Sequence, residues 1–172
     1  MFKMKRLPVL SVLLLTILVG ACVSSGSEEK EIDATTIKEW INLASKGDPD
    51  SQVALGILYF EGIVVPKDDK LALKWYKRAA EQGFYPATLS LFEFYSTGTQ
   101  KDIIRAYMWQ QINKIQMEKI LVENESPSTD YTANRIRASL IDTQKTLERE
   151  MSQAQIEAAQ KLAREWLAKH KK

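Results

Sequence analysis

The segment from Gly47 to Gly83 constrains the fold of this chain more than any other stretch. It opens and closes on the same turn signal and encloses two helical patterns. In the first, Asp50 to Glu61, Leu55, Leu58 and Tyr59 fall at i, i+3 and i+4, one stripe of a 3.6-residue period. Small Ser51 and Gly56 sit beside that stripe, where a second helix has room to approach. In the second, Asp68 to Gln82, Ala72, Trp75, Tyr76, Ala79 and Ala80 recur at the same spacing. Gly62 and Pro66 end the first helix, because glycine tolerates the left-handed terminal residue and proline cannot continue the hydrogen-bond ladder. Asp68 is placed to cap the second helix, and Gly83 closes it. The unit is an αα-hairpin, and one hairpin cannot bury its own apolar faces.

The pattern returns. Leu55, Tyr59 and Gly62 advance by 36 positions to Leu91, Tyr95 and Gly98. Asp68, Ala72 and Trp75 advance by 34 to Asp102, Ala106 and Trp109, so the turn between the second pair of helices is shorter by two residues. An earlier partial copy ends at Ala44–Gly47, with Trp40 in the place of Tyr76.

The residues Ser51-Gln52, Leu55-Gly56, Tyr59, Gly62, Asp68, Ala72, Trp75-Tyr76 and Ala79 to Gly83 resemble the Sel1-like repeat, a relative of the tetratricopeptide repeat. The likeness is gapless over 47–83 and looser over 84–118, where Phe92 replaces the usual glycine. Val64 stands where the turn of the repeat normally has its second glycine. The resemblance implies an all-α fold, a right-handed superhelical stack of αα-hairpins that serves as a platform for other proteins. Trp75 is expected between the two helices of the first hairpin, against the next one.

At the N-terminus, Lys3, Lys5 and Arg6 precede a short apolar run from Leu7 to Val19, the form of a secretory signal over 1–21. Val19-Gly20-Ala21-Cys22 resembles a bacterial lipobox, which implies diacylglyceryl transfer to Cys22, the single cysteine of the chain. Several acyl chains on one residue suffice for stable anchoring in a bilayer. Val23, rather than Asp, after that cysteine resembles lipoproteins sorted to the outer membrane, facing the periplasm. Residues 22–33 read as a small, polar tether.

Without residues 1–21, which hold three bases and no acid, the formal charge changes from +2 to −1. No clustered basic face points to nucleic acid. The repeat region is expected over 34–122, a polar loop with a proline over 123–130, and a C-terminal helical hairpin over 131–172. Ile104, Met108, Ile112 and Ile115 form the expected stripe of the helix that starts at Asp102. Ser152 is placed to cap the last helix, whose apolar face is Ile156, Ala159, Leu162, Ala163, Trp166 and Leu167; it would close the open end of the stack.

The inventory for chemistry is thin. His170 is the single histidine and lies among lysines near the end of the chain. The carboxylate pairs Asp48/Asp50, Asp68/Asp69 and Glu148/Glu150 read as caps or solvated charges. No phosphate loop, G-x-S-x-G or H-E-x-x-H is present. No catalytic residue, metal site or cofactor is expected. The apolar positions outside the repeat stripe, Val53, Ile57 and Phe60, with their counterparts Leu89 and Glu93 one copy later, are the expected lining of a groove for a protein or peptide of the cell envelope. Two binding modes fit: an adaptor that positions an envelope complex, and an inhibitor of the immunity type that occupies a secreted antibacterial effector such as a lipase. A third reading, a β-lactam-binding or hydrolysing Sel1-repeat enzyme, conflicts with the absence of the cysteine pair that such repeats carry.

Overall fold

The computed structural model describes residues 32–98, 101–123 and 130–170. Cys22, the signal-like segment and most of the tether lie outside these residues, as does most of the expected polar loop. Among the described residues all regular structure is helical: α1 (Ala34–Ser45), α2 (Pro49–Glu61), α3 (Asp69–Glu81), α4 (Tyr85–Thr97), α5 (Ile103–Glu123), α6 (Asp130–Arg149) and α7 (Gln153–Lys169).

The helix ends follow local chemistry. Asp33, Asp48 and Asp68 each accept hydrogen bonds from first-turn amides, and Pro49 occupies the first position of α2, where no amide partner is needed. Asp102 does the same for α5 through the Arg105 amide at 3.0 Å. Gly62 ends α2 in the left-handed conformation with φ 72°. Ser152 and Gln155 cap α7 reciprocally, each side chain serving the other's backbone.

The helices pack in sequence, α1 on α2, α2 on α3, α3 on α4 and α4 on α5, with α2 also touching α4. Both α6 and α7 then pack on α5. The main core gathers Val53, Ile57 and Phe60 of α2, Tyr76 and Ala79 of α3, Leu91 and Phe94 of α4, Tyr107, Trp109 and Ile112 of α5, and Ala159 and Ala163 of α7. A smaller cluster joins Ala44 of α1 to Leu55 and Leu58 of α2, with Trp40 and Trp75 packed on it. Gln52 fastens these parts. Its amide donates to the Ala44 carbonyl at the end of α1 (3.0 Å), and its carbonyl accepts from Gln82 at the end of α3 (2.9 Å).

Three placements differ from the sequence expectation. Trp75 is half-buried and packs toward α1, with Arg78 over its ring; Tyr76, one position on, is the residue driven into the main core. A one-residue step turns a helical side chain by about 100°, enough to change neighbours. Ile115 is exposed, because α6 covers α5 along the Gln110, Lys114 and Glu118 side and leaves that flank open. Leu162 of α7 is exposed as well.

Candidate docking face

The expected groove residues of α2 are not at a surface. Val53, Ile57 and Phe60 are 0%, 5% and 8% exposed and belong to the main core. The reason is geometric. The first helix of an inner pair has neighbours on three sides, here α1, α3 and α4. It is therefore apolar nearly all round, and residues off the repeat stripe are core like those on it. Their counterparts on α4 differ: Leu89 and Glu93 are only partly buried.

Gly56 of α2 gives passage to the Tyr76 ring of α3. A Cβ at position 56 would overlap the ring at Cδ1 and Cε1, so only glycine admits the approach. The Tyr76 side chain is 2% exposed. Burial pushes its phenol well above the usual range, and the charges of Glu93 and Glu61 push it the same way. Glu93 is itself raised, chiefly by burial and then by repulsion from Glu61.

A polar region lies on α5 where it meets the C-terminal helices, and its groups are largely paired. Tyr107 donates to Glu148 at 2.6 Å, and Gln144 donates to the same carboxylate at 2.7 Å. These bonds hold the Glu148 carboxyl below its ordinary value. Gln110 donates to the Leu140 carbonyl at 2.7 Å, and Lys114 to Gln144 at 3.1 Å. Arg137 holds Glu118 with two parallel bonds, 2.9 and 2.8 Å, and lowers that carboxyl. The carbonyl oxygen of the buried Asn113 side chain has no hydrogen-bond partner among the described residues.

Of the repeat positions, Leu55, Gly56, Ala72, Leu91, Tyr95, Gly98, Ala106 and Trp109 are buried. Tyr59 and Trp75 are half-buried, and Gly62 and Gly83 have positive φ at exposed turns. His170 stacks on Trp166 with centroids 4.3 Å apart, and Trp166 meets Trp109 edge-on at 5.3 Å. No group of three or more potential metal ligands occurs among the described residues. None of the described helices is long and apolar enough to cross a membrane.

The Sel1 repeat family profile matches residues 49–84 and 87–110. The fold agrees with a solved structure, a protective antigen present in uropathogenic Escherichia coli strains displaying an SLR fold. The two superpose with a TM-score of 0.61 at 21% sequence identity, over 93% of this chain and 30% of that one. The chain thus spans less than a third of that protein's length. No curated protein matches the chain. Helical hairpins in series and the repeat match place Sel1 repeats within residues 49–110, and the architecture as a whole agrees with an SLR fold. Repeats of this kind generally mediate protein–protein interaction.

Proposed function

We propose that this protein is a lipid-anchored scaffold that binds another protein of the cell envelope through its repeat stack and positions it at the membrane. The observation that carries the reading is the contrast between the two repeats. The first seals its inner helix into the core, and the second leaves Leu89 and Glu93 of α4 partly open. Partly open apolar and acidic side chains on a rigid helix suit a docking face, since rigid elements hold a contact surface without an ordering cost on binding. Anchoring rests on the signal-like segment and on Cys22, with the outer membrane, periplasmic side, as the location that Val23 favours.

Two measurements test this. A photo-crosslinking residue at Leu89 should trap one protein in intact cells, while the same residue at exposed Lys77 on α3 should not. Equal trapping at both positions, or none at Leu89, removes the docking face. Cys22→Ser should abolish acylation and release the protein from the membrane fraction. A variant that still sediments with membranes at an unchanged mature mass defeats the anchor.

A further inference from the structure

We propose that the stripe Thr36, Trp40 and Leu43 on α1 is a seat for one amphipathic helix of a partner protein, a helix with a glycine or alanine facing Trp40 and larger apolar residues on either side. This surface is separate from the docking face on α4. The seat is read from a stripe that the chain carries three times. Thr36, Trp40 and Leu43 of α1 return as Ala72, Tyr76 and Ala79 of α3, 36 positions on, and as Ala106, Gln110 and Asn113 of α5, a further 34 on. On α3 and α5 the stripe is closed, with every member at 2% exposure or less. The first helix of the same pair closes it. Gly56 of α2 meets the Tyr76 ring, and the Thr88 carbonyl of α4 meets Asn113. On α1 the stripe is open: Leu43 is 37% exposed, and Thr36 and Trp40 are half-buried. Ala44 is as buried as its counterpart Ala80, because it packs on Leu55 and Leu58 of α2. The side of α1 toward the following pair is therefore covered, and the side toward a first helix of its own is not.

The residues in register for that place are 13–25, which lie 36 positions before α2. They run through the signal-like segment, and cleavage before Cys22, on which this step rests, leaves only 22–25 of them. Ahead of α1, residues 22–33 then hold Val23 and Ile32 as their only branched apolar side chains, and Ile32 already packs on the small cluster with Leu55. A second copy of α1 is a poor occupant as well. Its own stripe centres on Trp40, and two indoles face to face leave no room for the close approach that a ring and a glycine make. The occupant is a helix of another protein, and α2 is the template for its chemistry. At position 56 even a Cβ would overlap the Tyr76 ring, while Val53, Ile57 and Phe60 of α2 lie buried in the same core. Trp40 is larger than Tyr76 and needs a small residue opposite it no less. Because α2 also touches the next first helix, α4, an occupant placed on the same plan lies on α2 as well as on α1. That makes the seat a groove between two helices, the form in which apolar anchors one turn apart are recognised.

The probe is a capped peptide of residues 48–62, the α2 sequence with its cap, titrated into the full-length chain in phospholipid nanodiscs with nitrogen-15 in the tryptophan indoles. The Trp40 signal, assigned by its loss in Trp40→Phe, should shift and saturate, while the signals of Trp109 and Trp166, which meet each other between α5 and α7, should stay. A peptide with phenylalanine in the place of Gly56 should bind at least about tenfold more weakly. It is the more apolar of the two, so partition into lipid would rank them the other way. Leu43→Asp, at an exposed position, should also weaken the α2 peptide at least about tenfold, because the carboxylate would lose its water against the incoming helix. In intact cells a photo-crosslinking residue at Leu43 should join a segment of another protein that has a small residue between apolar ones at helical spacing. No saturable Trp40 shift, equal or tighter binding of the phenylalanine peptide, or undiminished binding by Leu43→Asp overturns the seat. A crosslink to residues 13–33 of the same chain, or to α1 of a second copy, overturns the partner. The docking face on α4 is read separately. Trapping at Leu43 without trapping at Leu89 keeps the seat and removes that face, and the reverse keeps that face and removes the seat.

Discussion

The first repeat (α2–α3) and the second (α4–α5) share a backbone plan and differ in what fills equivalent places. Gly56 becomes Phe92, Ile57 becomes Glu93, Tyr76 becomes Gln110 and Ala79 becomes Asn113. At these places the first repeat carries no buried amide: Tyr76 lies against Gly56, and Ile57 and Ala79 are buried with it. In the second, buried Gln110 reaches the Leu140 carbonyl of α6, and buried Asn113 donates to the Thr88 carbonyl at 3.4 Å. The first repeat is built to be stacked on both sides by its own kind. The second is built to hand over to helices of another type. The helix ends tell the same story. Gly83 stops α3 after Gln82, whereas α5 has no such residue and runs on to Glu123, supplying the surface on which α6 packs.

The largest effect that separates the two repeats should come from Tyr76→Ala. Removing a fully buried aromatic from the main core should cost about 3–5 kcal/mol. Trp75→Ala, next to it but half-buried against α1, should cost clearly less. Gly56→Ala should also destabilise, by about 1–3 kcal/mol, because the added methyl meets the Tyr76 ring. Thermal melts of the three variants check the ranking. If Trp75→Ala proved the costlier of the two aromatic truncations, the helix would be turned by one residue and the comparison would collapse.

Much of this architecture is legible in the sequence. Leu55, Tyr59 and Gly62 with their copies, the caps at Asp68 and Ser152, and the turn at Gly83 are local signals, and local signals survive into the structure. What the sequence leaves open is the number of neighbours each helix acquires. Val53, Ile57 and Phe60 look like surplus apolar residues when α2 is paired with α3 alone. They become core once α4 also lies on α2. Periodicity reports that a face is apolar, never how many partners cover it. The contact of the Tyr76 ring with Gly56 is hidden for the same reason: it joins two helices, and only their packing brings the residues together.

The turns sharpen the comparison at lower energy. In the first repeat Val64 adopts φ 55° at 61% exposure, a left-handed conformation that a β-branched residue resists. Its side chain gains little from packing there, so Val64→Gly should relieve strain at small cost. The expected gain is on the order of 1 kcal/mol, seen as a higher melting temperature with partner binding unchanged. A lower melting temperature would mean that the backbone entropy of the added glycine outweighs the strain.

The smallest expected effect concerns the charge that distinguishes the second repeat. The folded protein raises the Glu93 carboxyl above its ordinary value, by burial first and by Glu61 second. The sign follows from linkage. A carboxyl raised in the folded state contributes stability that is fully present below its unfolded value and is lost as the pH rises through the folded value. At neutral pH the charged carboxylate therefore opposes folding, and Glu93→Gln should melt slightly higher than the natural protein. The gain should be a few tenths of a kcal/mol, on the order expected for a partly screened surface charge. Below the ordinary glutamate range the natural residue takes up its proton, and the two melts should coincide. Glu118 and Glu148 have lowered carboxyls and lose stability as the pH falls, but they do so in both proteins and cancel in the difference. Paired melts from acid to neutral pH measure that difference directly. A variant that melts lower than the natural protein at neutral pH would show that Glu93 is held by a favourable partner within the fold.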